Sequence, residues 1–176
     1  TANYALRAAC PLRKLIASVR RGIIGDVRVI SVTIGGARGL GCVGSHYVDL
    51  MRTLLQSDAQ AVWGRIDTTG TENPRGTQFK DPGGYGVYLF KNGARGFLEM
   101  SEDYPLPPRI ELTGTKGHIE IDLGQNRWVA YLFDGEKYTK HSLDNDPYEI
   151  VEVTKAMLEE ACGVEPSVSS GEDGKP

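Results

Sequence analysis

The sequence predicts an α+β fold, a large and mostly antiparallel sheet covered on one face by helices. Two amphipathic helical stretches precede a run of short strand-like segments. Asn92-Gly93 stands between two of those segments, the strongest short-range signal for a hairpin. The 22 glycines and 9 prolines among 176 residues are dispersed rather than tracted, which marks many turns. Strands joined by short turns run antiparallel.

The first element is a helix with Pro11 in its opening turn. Leu12, Leu15, Ile16 and Val19 repeat at helical spacing, and Gly22 closes it. Arg13, Lys14, Arg20 and Arg21 are its solvated face. Val27–Ile34 is β-branched and reads as a strand. A glycine-rich loop, Gly35 to Gly44, leads to a second helix from Ser45 to Gln56, with Ser45 as N-cap and Tyr47, Leu50, Met51 and Leu54 as its buried stripe. Strands are expected at Ala61–Ile66, Gly86–Phe90 and Ala94–Met100, with a polar loop from Asp67 to Pro82 after the first of these. Others follow at Arg109–Thr113, His118–Leu123, Trp128–Phe133 and Lys137–His141. A last helix opens at Asp146-Pro147-Tyr148-Glu149 with a capping box, and Gly163 follows its end.

Composition excludes several function classes. Twenty basic residues against 23 acidic ones give a net charge of −3, which argues against a broad nucleic-acid surface. No apolar run reaches the roughly 18 residues of a membrane-crossing helix. Cys10, Cys42 and Cys162 are odd in number and lack any C-x-x-C, so neither a disulfide framework nor a metal site is expected, and a cytoplasmic setting fits. His118 and His141 have no partner at metal-ligand spacing. Tyr104-Pro105-Leu106-Pro107-Pro108 reads as a rigid surface loop, with a wall of a sugar pocket as the alternative. The consecutive apolar runs Val87–Phe90 and Trp128–Phe133 predict strands that see water on neither face. Helices cover one face, so a second copy is the expected cover of the other.

Gly39-Leu40-Gly41-Cys42-Val43-Gly44 is a literal G-x-G-x-x-G between a strand and a helix, with Asp67 at the end of the next strand. A dinucleotide-binding crossover has a tight turn after its strand, a third glycine inside its helix and a parallel strand to follow. Here four extra residues follow Ile34, Ser45 suggests a later helix start, and a meander comes next. No dinucleotide is therefore expected to bind this chain tightly.

Five segments in register carry a family resemblance: Ile24-Gly25-Asp26-Val27, Gly44–Leu50, Leu89–Gly96, Leu112–Ile119 and Glu165–Gly174. On them the chain resembles the C-terminal domain of the glucose–fructose oxidoreductase / inositol dehydrogenase (Gfo/Idh/MocA) family. The resemblance implies that residues 1–176 are a single substrate-binding and dimerisation domain, a fragment of a longer protein lacking its N-terminal Rossmann domain. It implies NAD or NADP held mainly by that absent domain, and hydride transfer to or from a secondary alcohol of a sugar or polyol. It also implies a homodimer or higher homo-oligomer formed sheet to sheet. The fragment alone is expected to be inactive. Two alternatives stay open: a binding or assembly module without dehydrogenase chemistry, and a lyase or glycosidase that uses NAD transiently.

The resemblance places His46, in the family's Gly-x-His-x-x-Asp segment, as the catalytic base. Neutral imidazole suits removal of a hydroxyl proton near pH 7. Asp49 lies one helical turn on and is the expected support for that ring. Cys42 occupies a position where the family commonly has an aspartate that pairs with the histidine. Asn3 and Arg7 fall where the family contributes substrate-side groups.

Overall fold

A computed structural model describes residues 5–36, 39–67 and 80–142. The helix expected at Asp146 and the closing Glu165–Gly174 segment lie outside them, as does Asn3. A 3-10 turn, Ala5–Ala8, precedes α1 (Cys10–Arg20) and β1 (Val27–Gly35). The π-helical turn Gly39–Gly44 then runs straight into α2 (Ser45–Leu55). Seven strands follow: β2 (Ala59–Ile66), β3 (Gly84–Phe90), β4 (Arg95–Ser101), β5 (Arg109–Gly114), β6 (Gly117–Asp122), β7 (Arg127–Phe133) and β8 (Tyr138–Ser142).

All eight strands form one sheet in the order β2-β3-β4-β1-β5-β6-β7-β8. Every neighbouring pair is antiparallel except β1 and β4. The exception follows from the connection. After β1 the chain leaves the sheet through α2, re-enters at the far edge as β2 and meanders inward, so β4 arrives beside β1 in the same direction. The segment after β4 then crosses the end of β1, where the Gly35 amide donates to the Leu106 carbonyl at 2.9 Å. This lets β5 pair with the other edge of β1.

Both helices cover the same face. Leu12, Leu15, Ile16 and Val19 of α1 and Tyr47, Leu50, Met51, Leu54 and Leu55 of α2 pack into one cluster with the inward strand residues. In register across the sheet, Gly96, Ile30, Leu112, Ile119 and Ala130 form one inward row, and Leu98, Val32, Ile110, Ile121 and Trp128 the next. Full burial of each large side chain stabilises the fold by about 1.5–3 kcal/mol. The predicted helical stripes are therefore the core-facing ones. Gly22 follows the α1 cap at φ +80°, and the Asn92-Gly93 turn closes the β3–β4 hairpin with Gly93 at φ +82°. Asn92 also ties that turn to α2, its side-chain amide donating to the Leu55 carbonyl at 3.1 Å.

Three expectations are corrected. Gly39–Gly44 is helical rather than a loop, and Ser45 is no cap: Gly44 precedes the α-helix, and the Ser45 hydroxyl donates back to the Gly41 carbonyl at 3.0 Å. The uncovered face of the sheet is also less apolar than the β3 and β7 runs suggest. Trp128 and Ala130 point into the core, and the central strands show Ser31, Thr33, Glu111, Glu120, Arg109 and Asp122 on the open side. Apolar side chains there concentrate toward the two ends, with Trp63, Tyr85, Val87, Leu89 and Phe97 from β2, β3 and β4 at one and Val129, Tyr131 and Phe133 from β7 at the other. No helix among the described residues is long and apolar enough to cross a membrane.

Candidate functional site

His46 is the second residue of α2, one turn after Cys42 in the π-helical turn. It is half-buried, with Nδ1 enclosed by the fold. A π-turn is wider than an α-turn and rarely stands without outside support. Here the support is Asp81, at the end of the connection between β2 and β3. Its Oδ1 accepts from the Gly41 amide and its Oδ2 from the Cys42 amide, both at 2.7 Å. The Leu40 amide donates to the Pro82 carbonyl at 3.0 Å.

The first two glycines of the G-x-G-x-x-G are explained by this carboxylate. Gly39 sits at φ +67°, and a Cβ there would fall 2.2 Å from the Asp81 carboxyl carbon; at Gly41 it would lie 3.1 Å from Oδ1. Gly44 presses on β4, where a Cβ would meet Met100 Sδ at 2.8 Å. An aspartate thus occupies two of the amides that a pyrophosphate at this motif would need.

Asp49, one turn beyond His46, is buried beside the chain that enters α1. The 3-10 turn Ala5–Ala8 packs there, and Arg7 Nε stands 3.6 Å from Asp49 Oδ2. The structure thus joins Arg7 to Asp49, two residues for which the sequence suggested separate roles. Asp49 ties the entering chain to α2. Thr53 Oγ1 donates to the Asp49 carbonyl at 2.9 Å. On the same helix Arg52 pairs with Asp58 at 2.6 Å, and that guanidinium, with Lys91 beside it, holds the Asp58 carboxyl below its ordinary range.

Two hollows flank α2. One, of about 310 Å³, is walled by Leu40, Val48, Tyr88 and Leu98 with Ser45, Asp49 and Arg52 at its polar side. The other, of about 250 Å³, runs from Arg7 and Asp49 to Asp58. Burial in the first region pushes the Tyr88 phenol up from its ordinary value. His46 lines neither hollow. Cys42 is a half-buried thiol whose amide, rather than its sulfur, carries the contact with Asp81. Among the described residues no group of three His, Cys, Asp or Glu side chains could hold a metal ion.

Sequence reasoning missed Asp81. The only local trace was Asp81-Pro82-Gly83, an ordinary turn signature, and the partner amides lie 40 and 39 residues earlier.

Comparison with known proteins agrees with this architecture. The family model described as the GFO/IDH/MocA C-terminal domain matches residues 12–120. No curated protein matches. Among solved structures, the chain is similar to an oxidoreductase domain protein from Kribbella flavida, with a TM-score of 0.71 at 19% identity over 94% of this chain and 57% of that one. It is similar to levoglucosan dehydrogenase in complex with NADH and L-sorbose, with a TM-score of 0.69 at 17% identity over 90% of this chain and 53% of that one. It is likewise similar to aldose-aldose oxidoreductase from Caulobacter crescentus complexed with glycerol, with a TM-score of 0.68 at 20% identity over 94% of this chain and 54% of that one. The chain therefore spans little more than half the length of these proteins.

Proposed function

Since the chain belongs to the GFO/IDH/MocA C-terminal domain family, we propose that it is the substrate-side half of an NAD(P)-dependent oxidoreductase acting on a secondary alcohol of a sugar or polyol. The likeness to levoglucosan dehydrogenase with L-sorbose bound and to aldose-aldose oxidoreductase supports a carbohydrate substrate. The nicotinamide, which supplies the hydride chemistry, is held outside this chain.

This chain's part is the proton. The observation that carries the reading is the placement of a half-buried imidazole at the mouth of α2, on a turn fixed from outside by Asp81. His46 takes the hydroxyl proton as the alcohol is oxidised and returns it in reduction. Asp49 serves the site indirectly in this scheme: it holds Arg7 of the entering 3-10 turn against α2. In the full-length protein with its cofactor domain, His46→Ala should lower kcat by roughly 10²–10⁴-fold with a smaller change in KM. The assay is nucleotide reduction at 340 nm with NAD⁺ or NADP⁺ and a panel of aldoses, ketoses and polyols. A loss below about threefold in a folded variant would remove His46 from the chemistry.

Cys42 favours a second reading, a binding or assembly module, because a thiol cannot orient an imidazole as a carboxylate does. In that case no member of the panel would be turned over.

We also propose that a second copy covers the open face of the sheet, centred on the apolar end at β2–β4, where Trp63 is 59% and Tyr85 50% exposed. The charged central strands separate that end from the apolar side chains of β7, and its exposed aromatics make it the self-complementary patch of the proposal.

A further inference from the structure

We propose that Asp81 is the positioning residue for His46: its carboxylate fixes the π-turn whose last residue hands over to the helix bearing the imidazole. The proposal deepens the reading of His46 as the proton acceptor and rests on it.

Three observations carry it. Asp81 is nine-tenths buried and grips two successive amides with bonds of 2.7 Å, the length of charge-assisted contacts. The turn has been cut to receive it, since side chains at positions 39 and 41 would collide with or crowd the carboxyl group. The backbone is helical without interruption from Gly39 to Leu55, so a displacement of Gly41 and Cys42 is delivered one turn later at His46. The Ser45 hydroxyl on the Gly41 carbonyl couples the two turns further. Without the carboxylate, the two amides at the head of the turn lose their common acceptor. The wide turn then has no reason to keep its geometry against the tighter α form.

A merely structural cap would cost stability and leave the imidazole where it is. Asp122 supplies the comparison. It is also buried, and its Oδ1 accepts from the Gly124 and Gln125 amides at 3.0 Å, in a turn that does not carry His46. The test sets Asp81→Asn against Asp122→Asn. In the ligand-free chain, the ring signals of His46 are followed by ¹H–¹³C NMR, with the amide signals of Gly41 and Cys42 as the report that the bonds are gone. In the full-length protein, kcat and KM are measured with the panel sugar turned over fastest. Asp81→Asn should move the His46 ring signals and lower kcat by about 10–100-fold, with KM within about threefold, as misplacement of a reacting group does. Asp122→Asn should do neither. Gly41→Ala, whose methyl would stand 3.1 Å from Oδ1, is a milder displacement that should reproduce both effects in part, and it serves should Asp81→Asn fail to fold. If the amide signals of Gly41 and Cys42 move while the His46 ring signals and kcat do not, Asp81 is only a cap and the proposal falls. If His46→Ala itself leaves kcat unchanged, the reading of His46 falls. The ring signals still decide whether Asp81 positions the side chain.

Discussion

Arg7 and Asp49 form an asymmetric ion pair, and the asymmetry can be measured. The Asp49 side chain is 8% exposed and that of Arg7 39%, with 3.6 Å between Nε and Oδ2. Asp49 Oδ2 is sealed from solvent and accepts no hydrogen bond. Its charge is thus met across a distance too long for such a bond, by a guanidinium that water partly screens. At this separation two charges attract by about 1 kcal/mol in a water-like surrounding and about 4–5 kcal/mol at an effective dielectric near 20. Arg7 faces solvent on one side, so a net coupling of about 1–2 kcal/mol is expected. Removing only the cation leaves a buried, uncompensated carboxylate, so Arg7→Met should cost about 1–3 kcal/mol. Asp49→Asn keeps the shape and removes the charge that is expensive to bury, so it should cost about 0–1 kcal/mol. The double variant should be more stable than Arg7→Met alone. Urea unfolding of all four proteins, at constant slope, gives the cycle. If Asp49→Asn costs as much as Arg7→Met and the two effects add, the pair does not hold the entering chain to α2 and the reasoning fails.

The isolated chain should bind NAD and NADP no tighter than about 10 µM, about −7 kcal/mol, because Asp81 already occupies the amides of the glycine motif; calorimetric titration checks this, and tighter binding would require that carboxylate to be displaced. Light scattering at tens of micromolar should show a dimer. Phe97→Glu, placed at the β2–β4 end of the open face, should shift it to monomer, whereas Glu120→Lys at mid-sheet should not. Burial raises the Tyr88 phenol, and burial together with Glu99 raises Tyr104. The folded state therefore holds these protons more strongly than the unfolded chain, and this share of stability is complete below about pH 10 and lost as the pH rises through the folded values. Urea midpoints between pH 9 and 11 should fall, and fall less in Tyr88→Phe; an equal fall in both proteins would refute the assignment.

The residues that made the fold legible act locally. Leu12, Leu15, Ile16 and Val19 lie on one side of any helix they form, and Asn92-Gly93 folds back any two strands that flank it, so their spacing alone identifies α1 and the β3–β4 hairpin. The α+β class, the order of elements, the family resemblance and the candidacy of His46 were all available in this way. The tertiary structure decided what depends on pairs far apart in the chain. The parallel contact of β1 with β4 arises because the chain returns from the far edge of the sheet. The division of the open face into apolar ends and a charged middle follows from the register of seven neighbouring strands, which no single strand's pattern contains. The carboxylate on Gly41 and Cys42 comes from position 81, and the partner of Asp49 from position 7. Spacing encodes which side of an element a residue faces, but the identity of what meets it there is set only when distant segments are packed together. The same motif could have received a phosphate, and packing gave its first two glycines an aspartate.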